Sequence, residues 1–228
     1  MEREENFGLA RNIIDGVTQV VNEYGTVIVM EDDLVVSPQF LKFMNQSLDF
    51  YKDDSAVMHI SAYIYPINEH ILPDTFFLGQ TTCWGWATWK RAWVNFEKKP
   101  NKLIQTFTPQ MIEKFNLNGA YNFWKQVELN HAGKMNTWAI FWYATVFLQN
   151  GLSLHPKSSY VQNIGHDGSG TNRSTSKDFK VHVLNKMLDL SDKLEMNAIA
   201  EKEVENYFNS IKVSFLKRVI NKVRRLLP

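Results

Sequence analysis

The chain has 228 residues, enough for one domain with a sizeable core or for a domain with an appendage. Its 44% hydrophobic and 13% aromatic content exclude general disorder, and no apolar run reaches the roughly 18 residues that cross a bilayer. Of 25 basic residues, Lys212, Lys217, Arg218, Lys222, Arg224 and Arg225 fall in the last twenty positions with no acid among them, leaving 19 basic against 24 acidic residues elsewhere. A body with an acidic balance excludes nucleic acid as its partner.

Leu9, Ile13, Ile14, Val17, Val20 and Val21 recur at helical spacing and predict an amphipathic helix over 9–23, stopped at Gly25. Thr26 to Met30 predicts a buried strand that runs straight into Glu31-Asp32-Asp33. A helix is expected from Pro38 to about Tyr51, a strand over 56–63 and a short strand over 76–79. Helices are expected over 85–96, 109–116, 119–131 and 138–149, the last ended by Asn150-Gly151. A short strand at 152–154 and an extended stretch from Pro156 to Asn163 lead into a Gly-rich segment, 165–171. Polar helices without strands follow from 176. Alternating strands and helices predict an α/β layer architecture with a mostly parallel sheet flanked by helices. Ligands bind such sheets at the carboxyl ends of strands, where the acidic triplet falls.

Three segments carry chemistry. Three adjacent carboxylates at a strand end crowd one another and raise each other's pKa, so such a cluster suits a cation. Hard Mg²⁺ or Mn²⁺, held by one or two carboxylates and bridging a diphosphate, fits these ligands. The alternative is an acidic approach to the helix opened by Ser37-Pro38. The second segment is Thr81-Thr82-Cys83-Trp84-Gly85-Trp86, where indole faces suit sugar C–H faces and Gly85 permits close approach of a ligand; packing at a helix start is the alternative. Trp89 and Trp93, at helical spacing, are expected in the core. The third is Asn163 to Thr171, in which three glycines surround His166 and Asp167 in a backbone-exposing loop suited to closing over an anion. A structural role for His166 and an ordinary turn at Asp167-Gly168 are the alternatives there.

These segments, in this order and together with 3–10, resemble the GT-A fold of nucleotide-sugar-dependent glycosyltransferases. The likeness is to small bacterial sugar transferases with a Glu-Asp-Asp form of the Asp-x-Asp motif and, more distantly, to the N-acetylglucosaminyltransferase I family. The resemblance implies a Rossmann-like mixed sheet flanked by helices, with 1–175 as the transferase domain and 176–210 as a helical extension. It implies that Asp33 is the metal ligand, that Glu31 and Asp32 face the ribose and sugar, that Trp84, Gly85 and Trp86 border the sugar and acceptor, and that His166 lies in the loop over the diphosphate. The family carries a longer nucleotide-binding segment before its acidic motif, so the fold is expected to be incomplete at its N-terminus. By the family's pattern Ala139 and Ile140 stand where its relatives carry carboxylates, and Asp167 and Glu128 are the acids left as candidate bases. The expected activity is transfer of a sugar from a nucleotide-diphosphate donor to a saccharide or lipid-linked acceptor in cell-surface polysaccharide synthesis. A non-catalytic sugar-nucleotide-binding module and a metal-dependent phosphotransferase or hydrolase are the alternatives.

Phe215, Leu216, Val219, Ile220, Val223, Leu226 and Leu227 recur at helical spacing among the terminal cations. Residues 211–228 therefore predict a basic amphipathic helix suited to an anionic membrane surface, or alternatively to the acidic body. A lone cysteine, Cys83, and the charged run after Met1 give the expectation of a cytoplasmic protein, peripheral on the inner face of the plasma membrane.

Overall fold

A computed structural model describes residues 5–165 and 178–226, with side chains as far as 212. Helix α1 (Gly8–Tyr24) buries Ala10, Val17 and Val21, and Gly25 closes it at φ 81°, its N–H bonding to the Val21 carbonyl. Strand β1 (Thr26–Val29) follows at once, and the acidic triplet fills the turn into β2 (Leu34–Val36). Helix α2 (Phe40–Phe50) buries Phe40, Phe43, Met44, Ser47 and Leu48, one face of a 3.6-residue repeat. The remaining sheet elements are β3 (Val57–Ser61), β4 (Thr75–Leu78), β5 (Trp86–Trp89), β6 (Leu152–Pro156) and β7 (Val161–Asn163). Around them lie α3 (Lys90–Trp93), α4 (Pro100–Thr106), α5 (Pro109–Phe115), α6 (Trp124–His131), α7 (Ala139–Leu148) and α8 (Ala198–Leu226).

The main sheet has the order β1-β5-β3-β6-β4, and β2 pairs with β7 in a separate antiparallel ribbon. Only β3 and β6 are parallel; β1–β5, β3–β5 and β4–β6 are antiparallel. The fold is therefore mixed α/β, with a mixed sheet flanked by helices that is compatible with a Rossmann-like arrangement. The mostly parallel sheet expected from the alternation of elements is corrected. Strand β5 takes the first part of the helix expected over 85–96, which is helical only over α3, and β5 runs against both of its neighbours. Within it Trp86 faces the α1–α7 side, while Ala87 and Trp89 face α2. Strand β1 lies at the sheet edge.

A bulge between Val57 and His59 breaks the alternation of β3. Met58 and His59 thus share the α7 side, where Trp142 Nε1 donates to His59 Nδ1 at 3.0 Å and the His59 ring stacks on Trp86. Arg91 stitches β5 to the end of α2 by donating to the carbonyls of Tyr51 (2.8 Å), Lys52 (3.0 Å) and Val57 (2.7 Å). Residues 178–197 cross the molecule without a helix, touching β4 through a bridge between Phe77 and Met196. One helix, α8, then runs through the boundary expected at 210–211. The amphipathic face expected for 211–228 lies largely outside the described side chains. No helix among the described residues is long and apolar enough to cross a membrane.

His59 and His155 are both fully buried. With its proton on Nδ1, His155 donates to the Tyr63 carbonyl (3.2 Å) and accepts from the Ser153 hydroxyl (2.9 Å). Burial lowers its pKa to about 4 against the opposing pull of the Gln80 and Tyr63 carbonyls. Burial, then the neighbouring His155, also lowers His59 well below its ordinary value. A depressed histidine stabilises the fold above the unfolded pKa of about 6.5, and that stability is lost as pH falls toward the folded value. Stability should therefore drop by about 2 kcal/mol between pH 7 and 4.5 through His155 alone. Thermal melts across that range check this, and His155→Asn, which cannot charge, should flatten the slope.

Candidate functional site

The end of β1 is where charge concentrates. Glu31 and Asp33 are half-buried and Asp32 is exposed. Burial first, then the charges of Asp33 and Asp32, push the Glu31 carboxyl up to about 7. The β2–β7 ribbon holds Asp33 in place. Leu34 pairs with Asn163, Ile164 N–H donates to the Asp33 carbonyl at 2.9 Å, and Asn163 Nδ2 donates to Asp33 Oδ2 at 3.1 Å. Asp33 Oδ1 is buried with no hydrogen-bond partner among the described residues. A Cβ on Gly165 would stand 2.3 Å from Asp33 Oδ2, so glycine is what lets this backbone lie against the carboxylate.

Among the described residues no group of three His, Cys, Asp or Glu side chains converges to hold a metal ion. The donors do fit a hard cation that takes one or two carboxylates and completes its shell with phosphate oxygens and water. Asp33 Oδ1 has no other hydrogen bond to lose, and Glu31 is charge-crowded. Gly165→Ala should push the Asp33 carboxylate out of position. We expect Mn²⁺ affinity, measured by calorimetry, to fall at least tenfold while the melting temperature holds within about 2 °C, because the clash falls on a side-chain end.

A cavity of about 230 Å³ adjoins the acids. Cys83 links the two: it lines the cavity, and burial followed by the Glu31 and Asp33 charges pushes its thiol up to about 12. The walls are aromatic, with Tyr63, Tyr65, Trp84, Trp138 and Phe179 facing one another and Phe208 of α8 contributing. Trp84 meets Tyr63 edge-on at 4.6 Å. Thr81, Thr82 and Gln126 supply polar groups, and no charged side chain among the described residues lines the space. Such a pocket suits a neutral ligand with C–H faces and a few hydroxyls.

Of the Trp84-Gly85-Trp86 segment, Trp84 lines the cavity. Trp86 does not, because it is 0% exposed and stacks on Trp138 at 5.2 Å and on His59 at 5.5 Å inside the core. Gly85 is also buried. At φ 65° a Cβ there would meet the Phe40 ring at 2.9 Å, so its smallness serves packing rather than ligand approach. Trp89 and Trp93 lie in the core, as expected. Glu128, expected as a base, projects from α6 into an exposed ion pair with Lys125 at 3.0 Å, and its neighbour Gln126 reaches the cavity instead. Ala139 and Ile140 do line the cavity, without a carboxyl group. His166 and Asp167 lie outside the described residues, as do Arg3 and Glu4.

The cavity residues missed from the sequence are Tyr63, Tyr65, Phe179 and Phe208. A Tyr-x-Tyr pair just past a buried strand was the available signal for the first two. No family model matches the chain, and no curated protein matches it.

Proposed function

We propose that the protein is a divalent-cation-dependent glycosyltransferase that uses a nucleoside-diphosphate sugar and a saccharide or lipid-linked acceptor in cell-surface polysaccharide assembly. The observation that carries this reading is the buried, unpartnered Oδ1 of Asp33 at a strand end, beside an uncharged aromatic cavity. Asp33 would hold Mn²⁺ or Mg²⁺, with Glu31 and Asp32 around its waters and the donor ribose. Once bound, the ion supplies positive charge to the departing diphosphate. Trp84 would stack on the sugar, and the aromatic wall would exclude water from the reacting carbon. Asp167, two positions beyond the Gly165 that packs on Asp33, is the acid left to take a proton from an acceptor hydroxyl. The cations of 211–228 would draw the enzyme to the anionic cytoplasmic membrane face, where a lipid-linked acceptor resides.

The lack of any carboxylate on the cavity wall among the described residues favours a second reading, a sugar-nucleotide-binding module without turnover. Calorimetry with UDP-, GDP- and dTDP-sugars in Mn²⁺ and in EDTA separates the readings when paired with an assay for nucleoside diphosphate release. Metal-dependent binding with acceptor-stimulated release supports the transferase. Metal-dependent binding without release supports the module. Undiminished binding in EDTA overturns the transferase.

A further inference from the structure

A second, larger cavity of about 640 Å³ opens between the exit of β4, the α5–α6 connection and the inner face of α8. Gln80 lines it while only 3% exposed, and neither polar atom of its amide has a partner among the described residues. A fold keeps a buried, unpaired amide at a standing cost, and such a group calls for an explanation. Leu117 (φ 52°), Asn118 (φ 51°) and Asn150 (φ 49°) are the non-glycine residues with left-handed backbone among those described, and all three line this same cavity. Strained backbone of this kind concentrates at ligand sites. Glu201 also lines the wall, its carboxyl raised by burial and then by Glu205. Glu205 is already occupied by Asn118 Nδ2 at 2.5 Å and Lys202 at 3.0 Å.

We propose that this cavity is a binding site for a neutral, hydroxyl-rich ring, a pyranose unit, gripped by the Gln80 amide and the Glu201 carboxyl. An amide offers both donors and an acceptor, and a carboxyl on the same cavity lining accepts from a second hydroxyl. Phe147 and Leu117 supply an apolar wall for the C–H face. Two carboxylates against the single lining cation, Lys114, turn away phosphate and other anions. Tyr143 lines both cavities, so the two sites share a wall. The proposal does not depend on the metal site or on catalysis.

Saturation-transfer NMR on the full chain, with the methyl glycosides of glucose, galactose, mannose and N-acetylglucosamine at millimolar concentration, tests it. We expect transfer to at least one glycoside. Gln80→Leu and Glu201→Ala should each weaken it at least tenfold, while Glu97→Gln, in an exposed ion pair outside both cavities, leaves it unchanged. Should Gln80→Leu fail to fold, Glu201→Ala, at a half-buried position on α8, carries the test. Absence of transfer to all four glycosides overturns the proposal. So does transfer that survives Glu201→Ala undiminished.

Discussion

Asp33→Ala is expected to abolish the Mn²⁺-dependent component of nucleoside-diphosphate binding, weakening it at least 100-fold, or about 2.7 kcal/mol. The fold should scarcely notice. Among the described residues Oδ1 has no partner to lose, and Oδ2 has only the Asn163 amide at 3.1 Å. Removing the charge also relieves Glu31, whose raised pKa owes more to Asp33 than to Asp32. The melting temperature of Asp33→Ala in EDTA should therefore equal or exceed that of the unmodified chain. Loss of binding together with retained or increased stability is the signature of a group kept for a ligand rather than for folding. Asp32→Ala is the internal control. Its side chain is exposed, and it should cost less than tenfold. Calorimetric titration of UDP, GDP and dTDP with and without Mn²⁺ reads all three proteins. An Asp33→Ala loss no greater than that of Asp32→Ala would remove Asp33 from the metal site.

The position of the acidic triplet at a strand end was legible because two short-range signals coincide in β1. Val27 and Val29 alternate inward, and the run ends where three carboxylates begin. Helices α1 and α2 were legible from the 3.6-residue spacing of their buried residues, and Gly25 marked the first stop. Strand β5 was not. It lies inside the sheet with both faces covered, so Trp86-Ala87-Thr88-Trp89 lacks the polar alternation of a half-buried strand, and the four-residue spacing of Trp89 and Trp93 imitates a helix. The parallel expectation failed for a related reason. The β4–β5 connection carries no helix, and β5 inserts between β1 and β3, a pairing that local pattern does not encode. The aromatic cavity was still less visible, because Tyr63, Trp84, Gln126, Trp138 and Phe179 come from five separate stretches of chain. Glu128 shows the limit of sequence proximity on a helix: rotation about α6 put Gln126 on the cavity side and left Glu128 in water.

Trp84 and Trp86, two positions apart, should respond to mutation in opposite ways. Trp86 is wholly buried among His59, Trp93, Trp138 and Trp142, with ring centroids 5.2 to 6.1 Å away. Truncating such a side chain costs about 3–5 kcal/mol, so Trp86→Ala should melt roughly 6–20 °C lower. Its Nε1–H is buried without a partner, so replacing the indole with an all-carbon ring removes an unpaired donor as well as volume. Trp86→Phe should accordingly lose less than about 2 kcal/mol. Trp84 is only half-buried and forms one wall of the cavity. Trp84→Ala should cost about 1 kcal/mol in stability yet weaken binding of the sugar nucleotide at least tenfold relative to the free nucleotide, because the diphosphate contacts stay while the sugar loses its stacking face. Thermal melts and paired titrations with UDP-sugar and UDP separate the two effects. A Trp86→Ala protein with an unchanged melting temperature would mean that its ring is not the keystone of the α1–α7 layer. A Trp84→Ala protein that loses free nucleotide and sugar nucleotide equally would move the sugar out of the aromatic cavity, and with it the division between a charged site for the diphosphate and an uncharged one for the sugar.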